Sequence, residues 1–473
     1  IAANFSRFSP SHQKVAAVIR VAAVDCSGTS TYCSASPNGT SMPGPDIITL
    51  SMTEIARRIA AGETTAVAVV EACLARIEAR EGDLHAWAFV DPELALEQAH
   101  ACDQATPEGL LHGVPLGIKD IIDTRDMPTE MGSSIYAGRR PPADAACVAL
   151  VRGAGAVIMG KTVTTEFAGS HPGPTTNPHN AAHSPGGSSS GSAAAVADFM
   201  VPAAFGTQTG SSILRPSAYC GVIGYKPTFG TYNIAGIKAA AQSLDTLGLH
   251  VRDLDDIQLL TAVLINRPFE PLKAPAARPR IGVCRTPLWD AAQAETRAAL
   301  DDAVSRLEQA GAALCDVTLP AAFAGLEEAR ILINCYERSR HMTNEWRDHR
   351  GALSDRLQVV MQTGLDTPYE DYVAAMRLTE DCRQQSDVPF DDLDILLAPC
   401  VDGEAPEGLE NGGNPRFAGL WTAIRLPALS LPTHTGPNGM PIGIQLVGRY
   451  RDDDRLLSAA KWVLEKLGAP SIG

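Results

Sequence analysis

Six short apolar runs set the tightest limit on what this chain can fold into: Val114 to Ile118, Ala156 to Met159, Ile281 to Cys284, Ile395 to Ala398, Leu426 to Leu431 and Ile442 to Val447. Each is too short for a helix that must bury a stripe, and each is bounded by helical or loop-like sequence, so they read as strands buried on both faces. Such a mixture predicts an α/β protein, a single large domain with a central mixed β-sheet flanked by helices, and not a sandwich or a bundle. No fixed-period repeat and no Pro-rich linker divides the chain after residue 47.

Local signals place the first helices. Ser51-Met52-Thr53-Glu54 is a capping box, Ile55 and Ile59 share the face that follows, and Gly62 is a stop. Thr65 is positioned to cap a second helix with a stripe of Val69, Val70, Cys73, Leu74 and Ile77, and Asp91-Pro92-Glu93 opens a third. Residues 321–392 are helical in pattern and rich in Tyr, Trp and Arg, and are expected to form a cap or insertion on the domain of residues 47–473. Residues 1–46 are rich in Ser, Thr, Pro and Gly without a period and read as a flexible extension, with Met42 as the expected natural start.

Composition narrows the function classes. With 39 Lys+Arg against 54 Asp+Glu the formal charge is −15, so a phosphate backbone is repelled and no nucleic-acid partner is expected. Eleven Cys without a C-x-x-C suggest neither a disulfide framework nor zinc, and point to a reducing, cytoplasmic setting. In that setting the sequon Asn38-Gly39-Thr40 is set aside. No apolar stretch is long enough for a membrane helix. The His show no metal-ligand spacing, so neither metal nor other cofactor is expected.

Chemistry concentrates between Ser184 and Pro227. Ser184-Pro185-Gly186-Gly187-Ser188-Ser189-Ser190-Gly191-Ser192 runs straight into Ala193-Ala194-Ala195-Val196-Ala197, a glycine-serine loop that opens a helix. The first turn of a helix has unpaired N–H groups, which suit an anion or oxyanion, whereas flexible linkers seldom end in strong helix formers. A second turn rich in Gly, Ser and Thr follows at Gly206-Thr207-Gln208-Thr209-Gly210-Ser211-Ser212. Upstream, Gly113-Val114-Pro115-Leu116-Gly117-Ile118-Lys119-Asp120 leaves a lysine at the end of an apolar strand. Keeping a lysine of ordinary pKa near 10.4 neutral at pH 7 costs about 4.6 kcal/mol, within what burial supplies, and a neutral amine is a base. The alternative is a strand-end lysine paired with Asp120.

These segments together resemble the amidase signature family, whose mark is a Gly-Gly-Ser-Ser-Gly-Gly-like loop followed two dozen residues later by a nucleophilic serine. Gly160-Lys161-Thr162-Val163-Thr164-Thr165-Glu166-Phe167, Thr176-Asn177-Pro178-His179-Asn180, Leu426 to Pro432 and Gly439 to Gly448 are similar to further family segments, so the likeness runs from about residue 50 to the end. The resemblance implies that Ser212 is the nucleophile, Ser188 a bridging serine in a cis peptide and Lys119 the terminal base. It also implies that the turn of Thr209, Gly210 and Ser211 aims N–H groups at an oxyanion. The implied activity is hydrolysis of carboxamide C–N bonds through an acyl-enzyme, without metal, with esters, anilides or carbamates as further substrates. The implied partner is a small-molecule amide or related acyl compound, and the reading admits a homodimer. Two other classes stand beside it: an amidotransferase subunit releasing ammonia for a partner complex, and a weakened amidase-like binding protein.

Two positions depart from the family pattern. Ser211 stands where most relatives have Gly, which raises the question of a positive φ or a competing hydroxyl, and Gln208 stands where many have Asp. Gly187-Ser188-Ser189-Ser190-Gly191 also fits a nucleophile elbow centred on Ser189, but Ala181 to Pro185 before it is a poor strand. The stretch lacks the Gly-Lys-Ser/Thr ending of a phosphate-binding loop. Ser11-His12-Gln13-Lys14 and Ser458-Ala459-Ala460-Lys461 match S-x-x-K but lack companion motifs and read as structural. Trp421 and Phe417 are either core aromatics or part of a substrate pocket.

Overall fold

A computed structural model describes residues 47–169 and 171–468. The expected flexible extension, with Met42, Asn38 and the Ser11 to Lys14 motif, lies outside the described residues.

Eleven strands form one sheet: β1 (Trp87–Val90), β2 (Pro115–Lys119), β3 (Val157–Thr162), β4 (Ala203–Gln208), β5 (Ile223–Lys226), β6 (Thr246–Val251), β7 (Arg280–Val283), β8 (Ala313–Asp316), β9 (Ile395–Pro399), β10 (Ala428–Thr435) and β11 (Pro441–Val447). Their order across the sheet is β1-β3-β2-β4-β6-β5-β10-β11-β9-β7-β8. The sheet is mixed: β2 runs parallel to both β3 and β4, β7 runs parallel to both β8 and β9, and the pairs between these two groups are antiparallel. All six apolar runs read from sequence became strands. The strands the sequence reading passed over are β1, β4, β5, β6 and β8. The segment from Gly206, read as a turn, begins inside β4, whose Ala, Gly and Thr give no apolar signal. Gly206 has to be small, because a Cβ there would stand 2.5 Å from His250 Nε2 and 2.8 Å from Ser189 Oγ.

The predicted helix starts are formed. Thr65 Oγ1 accepts from Ala68 N at 3.1 Å and Asp91 Oδ1 from Leu94 N at 3.1 Å. Ser51 Oγ accepts from Glu54 N at 3.2 Å, but the return half of the box is absent, since the Glu54 carboxylate turns to Arg57 and Arg58. The remaining orphan donors of that helix go to a distant group: Asp256 takes Met52 N at 3.1 Å and Thr53 N at 2.8 Å. Helices Leu326–His341, Thr343–His349, Asp355–Asp366 and Tyr369–Gln384 occupy most of residues 321–392.

Glycine and serine between 184 and 197 serve close packing, for every residue from Ser184 to Ala197 is buried. The helix Ser190–Ala197 lies so near the β3 end of the sheet that a Cβ on Gly191 would stand 2.1 Å from the Ala86 carbonyl oxygen and 2.4 Å from Val163 N. Backbone atoms cannot yield as a flexible side chain can. Gly191→Ala is therefore expected to lower unfolding stability by about 1 to 3 kcal/mol or more. Gly153→Ala, where nothing lies within 4 Å of the added carbon, is the neutral control. Denaturant unfolding of both variants checks this, and equal stabilities would refute the packing argument.

Candidate active site

β2 and β4 are parallel neighbours, and their carboxyl ends deliver Lys119 and Thr207 to the same place, the end of an α/β sheet where ligands commonly bind. Lys119 is fully buried. Its Nζ lies 2.7 Å from Ser188 Oγ, 2.9 Å from Thr207 Oγ1 and 3.5 Å from the Thr207 carbonyl oxygen, with no carboxylate within ion-pair distance among the described residues. Burial holds its pKa well below the ordinary lysine value; Asp245 opposes that shift and Arg338 adds to it. The alternative pairing with Asp120 is not formed. Asp120 lies 3.2 Å from Lys161 instead, and Lys161 Nζ also donates to Thr129 Oγ1 at 2.6 Å and to the Ile122 carbonyl at 2.8 Å.

Ser188 follows a cis peptide bond from Gly187. Its carbonyl accepts from Thr165 N at 3.1 Å, and Ser189 N donates to the Ser212 carbonyl at 3.3 Å, so the two serine turns are tied through their backbones. Arg215 braces the same loop from the other side, donating to the Gly187 and Gly413 carbonyls at 2.6 Å each. Ser189, the nucleophile of the elbow alternative, is buried with its Oγ 3.3 Å from both the N–H and the carbonyl oxygen of Thr207.

The turn Thr209 to Ser212 connects β4 to the helix Leu214–Cys220, and none of its four N–H groups finds an acceptor among the described residues. Gln208 shapes this turn. Its Oε1 accepts from Ile213 N at 2.9 Å and Leu214 N at 3.1 Å, while its Nε2 donates to Thr422 Oγ1, which in turn donates to the Gly210 carbonyl at 2.7 Å. An aspartate there could supply the acceptor but not the donor. Thr209 Oγ1 donates to Asp245 at 2.5 Å. Ser211 has no positive φ, so the position does not require glycine; its Oγ is buried without a partner among the described residues. Ser212 is partly exposed and its hydroxyl makes no hydrogen bond among the described residues.

Thr209, Gly210, Ser211 and Ser212 form one wall of a cavity of about 440 Å³, closed on other sides by Thr165 to Gly169, by the helices Leu326–His341 and Asp355–Asp366, and by residues 409–415. Ser188 and Lys119 lie behind this wall, outside the lining. Trp421 and Phe417 do not reach the cavity. Both are fully buried in the helix Arg416–Ala423, Trp421 within an apolar cluster, and so belong to the core. Sequence reading missed Thr207 as a partner of the lysine, although it lies in a segment singled out for its composition. It also missed Arg215, Arg330 and Arg338, which line the cavity. Their only signal was the arginine content of residues 321–392, which carries no direction. Among the described residues no group of His, Cys, Asp and Glu is arranged to hold a metal, and no helix is long and apolar enough to cross a membrane.

With this geometry in hand, comparison with known proteins is direct. The first subunit of a glutamyl-tRNA(Gln) amidotransferase, from Anaeromyxobacter sp. (strain K), is 33% identical over 483 aligned positions, covering 90% of this chain and 98% of the relative. A crystal structure of an amidase superposes with a TM-score of 0.82 at 29% identity, covering 89% of this chain and 100% of the other. A chain from a vestigial protein complex tied to the origins of an s-triazine catabolic enzyme gives a TM-score of 0.80 at 29% identity, with 89% and 99% covered. The model of the amidase family matches residues 68–457, and by that match across most of its length the chain belongs to the amidase family.

Proposed function

We propose that this chain hydrolyses carboxamide C–N bonds through an acyl-enzyme on Ser212, with Ser188 relaying the proton and Lys119 as the base. The observation that carries the reading is the fully buried Lys119 whose Nζ lies 2.7 Å from Ser188 Oγ, immediately behind the wall that exposes Ser212. A neutral amine has one lone pair and two hydrogens. It donates toward Thr207 and accepts the Ser188 hydroxyl hydrogen, which makes Ser188 the acceptor for the proton of Ser212. Catalytic hydrogen bonds often tighten only when substrate docks, and the Ser212 to Ser188 link is of that kind.

In the proposed cycle the Ser212 oxygen attacks the amide carbon, a C–O bond forms, and the Ser212 proton moves to Ser188 as that of Ser188 moves to Lys119. Collapse breaks the C–N bond, and the relay runs backwards to protonate the leaving amine. Water then cleaves the acyl-enzyme by the same route. The unpaired N–H groups of the turn from Thr209 to Ser212 receive the oxyanion, each good donor being worth about 2.7 to 4 kcal/mol in the transition state. Esters, anilides and carbamates can enter the same path.

The likeness to an amidotransferase component along nearly the whole chain favours a second reading, in which the same serine chemistry releases ammonia to partner chains. Purified protein alone discriminates: turnover of simple amides supports the stand-alone hydrolase, and turnover only with added companion chains supports the amidotransferase reading. A weakened binding protein, the third class, would form no covalent adduct with a fluorophosphonate.

Mass spectrometry is expected to place a fluorophosphonate adduct on Ser212. Ser212→Ala, Ser188→Ala and Lys119→Met should each lower kcat on a simple amide by about 10³-fold or more. An adduct on Ser211 or Ser189, or an active Lys119→Met variant, would overturn the assignment. The pH dependence has a fixed sign. The base works only when uncharged, so activity is lost as pH falls through the lowered pKa of Lys119 and is retained above it. A pH–rate profile of kcat/KM that rises with pH to a plateau is expected, and one that falls across the same range would refute the role of Lys119.

A further inference from the structure

The cavity is more cationic than the protein that contains it. Against a formal charge of −15 for the chain, the described lining residues include Arg215, Arg330, Arg338 and Arg356 but only one carboxylate, Glu410. Arg356 is answered by Glu410, whose carbonyl and carboxylate it contacts at 2.6 and 3.5 Å. Arg215 and Arg338 have no carboxylate within 4.0 Å among the described residues, their partners being backbone carbonyls. Buried guanidiniums without a counter-charge are costly, and an anion entering the cavity removes that cost.

Arg330 is the best placed of them. It is 4% exposed, and Glu327 clamps it on one edge through Nε at 2.9 Å and Nη2 at 2.6 Å. Gly419 lets it lie flat, since a Cβ there would stand 2.6 Å from Arg330 Nε. Its remaining nitrogen, Nη1, has no partner among the described residues and stands 3.1 Å from where a Cβ on Gly210 would be, in the turn that ends at Ser212. Arg338 is 3% exposed and shares the same helix, two turns farther on. A rigid, pre-oriented guanidinium edge beside the turn is the arrangement that recognises a carboxylate.

We propose that the substrate is a short amide whose acyl part ends in a free carboxylate, and that Arg330, assisted by Arg338, docks that carboxylate while Ser212 attacks the amide carbonyl. Gly210 and Ser212 are two residues apart, at most about 7 Å between their Cα atoms, so about two to four carbons separate the two ends of such an acyl chain. This specifies the substrate class of the hydrolase reading above and rests on it for turnover. Binding of the carboxylate does not.

The test therefore has two arms. In the first, succinate and glutarate are titrated by calorimetry into Ser212→Ala protein, with the uncharged diamides and inorganic sulfate as comparators. Succinate or glutarate is expected to bind and the diamides not to bind, and Arg330→Met should weaken the dicarboxylate about 10- to 100-fold. Because Arg330→Met leaves Glu327 unpaired, the double variant Glu327→Gln/Arg330→Met is measured alongside and should behave alike. In the second arm, the otherwise unmodified enzyme is assayed on succinamate and on butyramide, its neutral counterpart. Succinamate should be preferred through KM, and Arg330→Met should remove the preference while leaving kcat/KM for butyramide within about threefold. Binding of the diamides as tightly as the diacids, binding of sulfate as tight as that of succinate, or equal losses on both amides would each overturn the proposal. Dicarboxylate binding that depends on Arg330 without any turnover would retain the carboxylate site and reject the hydrolase reading.

Discussion

Desolvation of one lysine organises the structure around it. Lys119 could not be placed at the end of β2, covered by the serine loop and by β4, unless its amine met partners that tolerate a neutral nitrogen, and it meets a serine hydroxyl, a threonine hydroxyl and a carbonyl. A carboxylate in contact would restore the charge and remove the base. The nearby Asp245 is held off by a different set of bonds, from the Thr209 hydroxyl and from Ala240 and Ala241 N–H, which occupy its oxygens and leave it outside ion-pair distance. Lys161, on the neighbouring strand, shows the contrast. It is equally buried, but its contact with Asp120 gives it a structural partner, and its pKa comes down only to about 8.

Bringing a loop against that lysine demands small residues. The glycine-serine stretch packs its backbone where side chains would collide with Val163 and Ala86, and Gly206 makes room for Ser189 and His250. His250 is fully buried beside this loop, its Nδ1 bonded to Ser217 Oγ at 2.8 Å, and burial lowers its pKa to about 3. It therefore stays neutral near Lys119. The glycine-serine composition that resembles a flexible linker in sequence is, in the fold, a close-packed interior layer.

Charge is distributed on two scales. The chain as a whole is acidic, whereas the cavity collects guanidiniums from the helix Leu214–Cys220, the helix Leu326–His341 and the helix Asp355–Asp366. Low-dielectric walls strengthen this local field relative to the exposed acidic groups, which water and salt screen. Net charge thus informs on large polyanions and says little about a small anion that enters a cavity.

What the sequence by itself determined is everything that depends on neighbours along the chain. The apolar runs marked the longer buried strands, Thr65 and Asp91 marked helix starts, and the ordered serine, glycine and lysine segments identified the family. β1, β4, β5, β6 and β8 escaped because an edge strand, or one made of small residues, lacks the apolar contrast on which a period depends. Tertiary structure alone decided that Lys119 meets Ser188 and Thr207 and not Asp120, that Trp421 and Phe417 fill the core, that Ser211 needs no positive φ, and that distant arginines face one cavity. Each of those outcomes depends on which groups converge from remote parts of the chain. Burial and field at a point are sums over such neighbours, and no local pattern encodes the sum.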